Sequence, residues 1–373
     1  MKLLGLLAFL SFLLALVLGA SALLTPAAAL HVVFAAGILP LIFGAMLHFV
    51  PVLTRSAAPH RAIAALPFLA QANGLLVPLA IQGALPRSVL HPAATFDLLA
   101  AAVLAGWIVR RARRTLGSPH PGWRWYAASL SLLLLALLAI PPMVAGVAPA
   151  MFRLFHLHAN TVGFIGLAAL GTLPVLLPTA IGKPDPQAAP WLRRRLSVAV
   201  GGVLFLAGGS ALWWPMSLVG GALLAVLAFG LLGQWWRTFG AASLFADGAT
   251  ASLCAALAGY GLLLFAGALH GTQLVPAGGM VPAFVAAFLL PLVTGALAQL
   301  LPVWRFPGPT SPARTEMRGR LVRTGRLRAA LFLAGGCLAL AASLPAGMAL
   351  AAAGLLLFAG DLAFALRVAA PTR

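Results

Sequence analysis

The residues best suited to chemistry are histidines, and two of them, His156 and His158, stand a single residue apart in an otherwise apolar stretch. On a helix turning about 100° per residue they leave roughly 200° apart, on opposite faces. One ion cannot easily take both, whereas two sites flanking the helix can take one each. An ionisable group inside a bilayer is costly enough to mark a functional site by default. Neutral imidazole is a good ligand for haem iron or copper, and two imidazoles on facing helices can clamp a haem between them. His31, His91 and His270 map to the same end of their apolar stretches as this pair, so five histidines are candidates for metal ligation if the helices are neighbours. The competing reading of His91 and His270 is as hydrogen-bonded boundary residues.

Cationic partners for haem propionates are available at that end. Arg153 lies one helical turn before His156, and Arg87 is a second candidate. The plainer alternatives are snorkelling to headgroups for Arg153 and an ordinary loop charge for Arg87. Gly37, Gly163 and Gly166 would let a flat macrocycle approach the backbone. His48 reads as a buried polar residue, and His60 and His120 as loop residues at the opposite end. Asp97 and Asp361 fall within apolar stretches but form no proton-carrying chain. No Ser-His-Asp arrangement, phosphate-binding loop or dinucleotide fingerprint occurs.

These side chains must be positioned by bilayer spans. Of the 373 residues, 62% are hydrophobic and 8% charged, which excludes a water-soluble core. Mean hydropathy is +1.05. Stretches of about 20 apolar residues, each able to cross roughly 30 Å of hydrocarbon, recur along the chain. They predict an all-α membrane protein with twelve transmembrane helices, over 3–24, 28–53, 62–84, 90–109, 125–146, 149–178, 196–213, 216–235, 248–269, 280–302, 329–344 and 346–367. The last two are joined at Pro345 by a turn short enough for a re-entrant hairpin.

Charge supplies an orientation. With the amino terminus inside, all of the 24 lysines and arginines except Arg87 and Arg153 fall on the cytoplasmic side. Positive loops resist translocation, so both termini are expected in the cytoplasm of a bacterial inner membrane. The formal charge of +19 is then loop charge, not a nucleic-acid surface. Cys254 and Cys337 lie in spans and offer no disulfide framework. The pairs Trp213–Trp214 and Trp235–Trp236 fall at interfaces, as belt residues do. An alternative reading of the first span is a signal peptide, with the Ala20-Ser21-Ala22 pattern at its end.

A repeat organises the spans. GILPLIFGAMLHFVPVL in the second and FLLPLVTGALAQLLPVW in the tenth align Pro40 with Pro291, Gly44 with Gly295 and Pro51 with Pro302. The sixth joins through Gly171 and Pro178. Three four-helix repeats follow, over 1–115, 124–240 and 247–370. Chance matching of frequent Gly and Pro is the competing explanation. Thirteen residues before the matched glycine stand His31, His158 and, in the third repeat, Pro282.

The sixth span, FHLHANTVGFIGLAALGTLPVLLPTAIG, resembles the helix of cbb-type haem-copper oxidases and nitric-oxide reductases that carries His-x-His, a Gly-aromatic-x-Gly step, a later Gly and a closing Leu-Pro. Here these are His156, His158, Gly163, Phe164, Gly166, Gly171 and Pro178. In that superfamily one histidine of the pair ligates the active-site haem and the other a low-spin haem. Its subunit I also has twelve helices in three arcs of four, with a haem histidine near the outer end of the second, where His31 stands. The chain is similar in size and layout to the histidine-rich NnrS proteins, linked to nitric-oxide tolerance and to haem and copper. It departs from the oxidases in bearing the pair on the sixth span, and in lacking a His-Pro-Glu or His-His copper motif.

The resemblance implies a protein that binds haem b and copper through His31, His156, His158, His91 and His270, with Arg153 and Arg87 as cofactor partners. It implies a role in respiratory electron transfer or nitric-oxide response, an electron-donor protein and a small gaseous ligand. Any turnover would be that of an oxidoreductase. The alternatives are a transporter or channel built from the same repeats, and an assembly factor that handles haem or copper without turnover.

Overall fold

A computed structural model describes residues 1–271 and 274–368. Arg373, counted above among the inner charges, and the end of the third repeat lie outside the described residues. The described chain is helical, with no strand among the described residues. Among the described residues, eleven helices are long and apolar enough to span a bilayer. They are α1 (Lys2–Ala20), α2 (Pro26–Leu53), α3 (Arg61–Gln82), α4 (Arg87–Arg113), α5 (Gly122–Val144), α6 (Pro149–Ile181), α7 (Ala188–Leu212), α8 (Trp214–Leu244), α9 (Gly248–Gly271), α10 (Ala277–Arg305) and, at the end, α13 (Leu344–Leu366). Between α10 and α13 lie a short charged helix, α11 (Pro312–Val322), and α12 (Gly325–Leu340).

This is the all-α membrane architecture expected from hydropathy. With α12 the count reaches twelve, but α12 has only 16 residues, or about 24 Å. It begins a turn earlier than the expected span at Ala329. The reason is electrostatic. Arg328, read from sequence as loop charge, is fully buried inside α12, where it pairs with Asp361 of α13. Asp361 Oδ2 also accepts from the Thr324 hydroxyl at 2.5 Å and the Thr324 amide at 3.1 Å. Removing the guanidinium from water is tolerable only with partners such as these and the Leu321 carbonyl, which Arg328 Nη2 meets at 3.0 Å.

The chain divides into two compact units, one of residues 1–172 and 187–220, the other of 173–186 and 221–373. A shared local design recurs within them. The helices α2, α6 and α10 each contain a π-helical segment, Phe34–Ile38, Ala159–Ile165 and Phe284–Leu289. Each segment ends six residues before the aligned glycine, Gly44, Gly171 or Gly295. In α2 and α10 the aligned Pro40 and Pro291 stand two residues past the end of the segment; without an N–H, proline cannot donate to the carbonyl four residues back, and the register slips. α6 has no proline there. Instead the Thr161 hydroxyl bonds the Leu157 carbonyl at 2.7 Å and the Asn160 amide bonds the His156 carbonyl at 2.8 Å.

Packing around the three helices also recurs. A Cβ on Gly44 would fall 2.6 Å from Leu4 of α1, one on Gly171 2.6 Å from Trp125 of α5, and one on Gly295 3.0 Å from Ser252 of α9. On the other side, Gly74 of α3 lies against Ala35, Gly163 against Val203 of α7, and Gly336 of α12 against Ala287. These contacts make the three helices central. Their most apolar windows are 61%, 72% and 67% buried, against 22% for α3 and 33% for α7.

Candidate functional site

His31 lies in the second turn of α2, after an N-cap in which Thr25 accepts from the Ala28 amide. Its Nδ1 sits 2.7 Å from the Ala27 carbonyl one turn back. His156 and His158 end the α-helical first part of α6, immediately before its π segment. His156 Nδ1 meets the Ala136 carbonyl of α5 at 2.9 Å. His158 Nδ1 lies 2.8 Å from the Leu154 carbonyl and 2.9 Å from the Ser210 hydroxyl of α7. The pair therefore leaves α6 toward different neighbours, one toward α5 and the other toward α7.

His31 and His156 are close enough to interact electrostatically. In both His31 and His156, Nδ1–H donates to a backbone carbonyl in the neutral ring, which puts the lone pair on Nε2. Anchoring one ring nitrogen so that the other can ligate is the usual support of a metal-bound imidazole. Two such rings on separate helices could each offer a nitrogen to a metal. The small residues Ala159 and Ala207 pack beside Ala136 and Phe155 next to His156.

The other expected residues are more scattered. Arg153 is exposed on the outer face of the same turn of α6, and Arg87 is exposed at the start of α4. His91 is half-buried in the first α-helical turn of α4. His270 belongs to the second unit, at the end of α9, where its Nδ1 lies 3.0 Å from the Val275 carbonyl. Among the described residues, no group of three or more His, Cys, Asp or Glu side chains could hold a metal ion. The five-histidine set expected from sequence is therefore not assembled as one metal centre, and the geometry offers a copper ion no three-ligand site.

Sequence reasoning missed Asn160 and Ser210. Asn160 carries a legible signal, a polar residue two positions after His158, and its amide nitrogen also lies 3.3 Å from His156 Nδ1. Ser210, 52 residues from His158, carries none. No protein family's sequence profile matches this chain, and no curated protein shows significant similarity to it.

Proposed function

We propose that this is a haem-binding membrane protein, in which His31 and His156 would hold the haem iron and Arg153 is near enough in sequence to serve a propionate. The observation that supports the reading is that His31 on α2 and His156 on α6 interact electrostatically and are each anchored to a backbone carbonyl through Nδ1, which leaves the ring lone pair on Nε2, beside the Asn160 amide at 3.4 Å in His156. Bound haem would supply one-electron or gas-binding chemistry. The chain's own residues would fix the ring orientations and exclude lipid and water. His158, turned toward Ser210, stands outside that pair. In keeping with the charge distribution, we place the amino terminus and the carboxyl terminus in the cytoplasm of a bacterial inner membrane, and the role in respiratory electron transfer or nitric-oxide response.

The test is optical. Protein purified in mild detergent from haem-replete cells should show a Soret band that His31→Ala and His156→Ala each abolish and His91→Ala leaves intact. A wild-type preparation without the band would overturn the proposal. Transport is a second reading with one observation in its favour: Asp97 is buried in α4 with Oδ1 lacking a hydrogen-bond partner. Solute uptake into proteoliposomes that survives both histidine substitutions and fails in Asp97→Asn would favour it.

A further inference from the structure

At the end of α2, α3 and α4 opposite the histidines, the first unit contains a cleft of about 740 Å³. It is lined by four arginines, Arg55, Arg110, Arg111 and Arg114, together with His60 and the hydroxyl residues Thr54, Ser56 and Thr115. No carboxylate lines it, and among the described residues none of the four guanidiniums forms a salt bridge. Several arginines of the second unit behave differently. Arg318 pairs with Asp247 at 2.6 Å, Arg320 with Glu316 at 2.5 Å and Arg323 with Asp361 at 3.2 Å. Positive loop charge alone does not account for the contrast, since a loop charge needs neither a concave setting nor fixed donors.

The donors here are held in place. Arg111 donates to the Ala58 carbonyl at 3.3 Å while its guanidinium lies 5.5 Å from the centre of the Trp107 ring. The Thr115 hydroxyl is tied to the Thr54 carbonyl at 3.1 Å, and the Thr54 and Ser56 hydroxyls meet at 2.8 Å. His60 caps α3 by accepting from the Ala62 amide through Nδ1, which leaves its ring proton on Nε2 as a donor. Arg55 occupies the left-handed region at φ 48°, a conformation that a side chain other than Gly or Asn rarely adopts without a local reason. Four like charges around one hollow repel each other, and a bound anion removes that repulsion. Planar guanidiniums in forked geometry suit the oxygens of a phosphate group.

We propose that this cleft binds a phosphate-bearing anion, drawn either from an anionic phospholipid headgroup or from inorganic phosphate. Its place at the ends of three spans, with Leu116 92% exposed at the rim, puts a lipid headgroup within reach. The proposal is independent of haem binding.

The full chain would be purified in detergent and examined by native mass spectrometry after reconstitution with phosphatidylcholine alone or with added phosphatidylglycerol, and separately titrated with inorganic phosphate. Wild type should retain the anionic lipid over the zwitterionic one, or gain thermal stability with inorganic phosphate. The first result identifies the lipid source and the second the free ion. The variant R55Q/R111Q/R114Q should lose about tenfold or more in that affinity, because charged hydrogen bonds are the strong ones. The lysine variant R55K/R111K/R114K, which keeps the charge, should retain part of it and reports whether the fold survives. Equal retention by wild type and the glutamine variant would overturn the proposal. So would an equal loss in R193Q/R194Q/R195Q, a basic run outside the cleft.

Discussion

The helices α2 and α10 share a π segment, the following proline, a central glycine and their close-packed neighbours, yet their polar surroundings differ. Where α2 carries His31, α10 carries Pro282. Around α2, groups able to do chemistry stand without opposite charge: His31 and His156, Asp97 and the arginine cleft. Around α10 four arginine–carboxylate pairs form, although Arg305 at its end meets only the Leu366 and Val368 carbonyls. Arg328 and Arg323 share Asp361, and Arg318 pairs with Asp247 while bonding Gln299 at 2.9 Å. One backbone design thus carries both an end with uncompensated polar groups and an end closed by ion pairs. Binding chemistry belongs with the first, and fold maintenance with the second.

The largest expected effect breaks the closed end. Asp361→Leu strands the buried Arg328 guanidinium, which should cost about 3–5 kcal/mol and leave little folded protein by size-exclusion chromatography in detergent. Adding Arg328→Met should restore most of the loss, since an apolar pair removes both desolvated charges. Asp97→Asn, in the other unit, should shift the melting temperature little because its Oδ1 has no partner to lose. Equal damage from Asp97→Asn and Asp361→Leu would refute the contrast.

A smaller effect tests what the helices share. Gly171→Ala should destabilise by about 1–3 kcal/mol, because the new methyl meets the Trp125 Cβ, a part of the side chain that cannot swing away. Gly44→Ala should cost less, since it meets the flexible ends of Leu4 and Met1. Gly106→Ala, with open space around it, should be neutral or slightly stabilising. Thermal unfolding of the three variants should return that order.

The smallest effect concerns His120, outside the spans, whose amide donates to the Leu53 carbonyl at 2.9 Å. Burial, reinforced by the Arg193 charge, holds its imidazole below the ordinary value of 6.5. A folded state that binds the proton less tightly than the unfolded state loses stability as pH falls through that ordinary value. A melting temperature that declines toward pH 5 should therefore decline less in His120→Asn. An unchanged slope would remove His120 from the account.

Much of the architecture was readable in advance because it depends on local properties. Hydropathy over about 20 residues locates a span wherever it packs, and a proline removes a donor in any surroundings. The alignment of Pro40 with Pro291 and of three glycines was visible before the π segments that accompany them. Arg328 escaped because a window average treats an arginine at a span edge as loop charge. Its burial depends on a carboxylate 33 residues away.

The sequence by itself determined the helical membrane class, the order of the spans, the basic ends and the positions of the histidines, since these follow from composition and from constraints that act within a turn or two. Tertiary structure decided that His156 meets α5 and His158 meets α7, which arginines are paired and which gather around a cleft. The physical reason is rotation. Each π turn changes the direction of the side chains beyond it, and the packing of small residues against neighbouring helices sets how each span is turned. Neither quantity can be read from spacing along one helix.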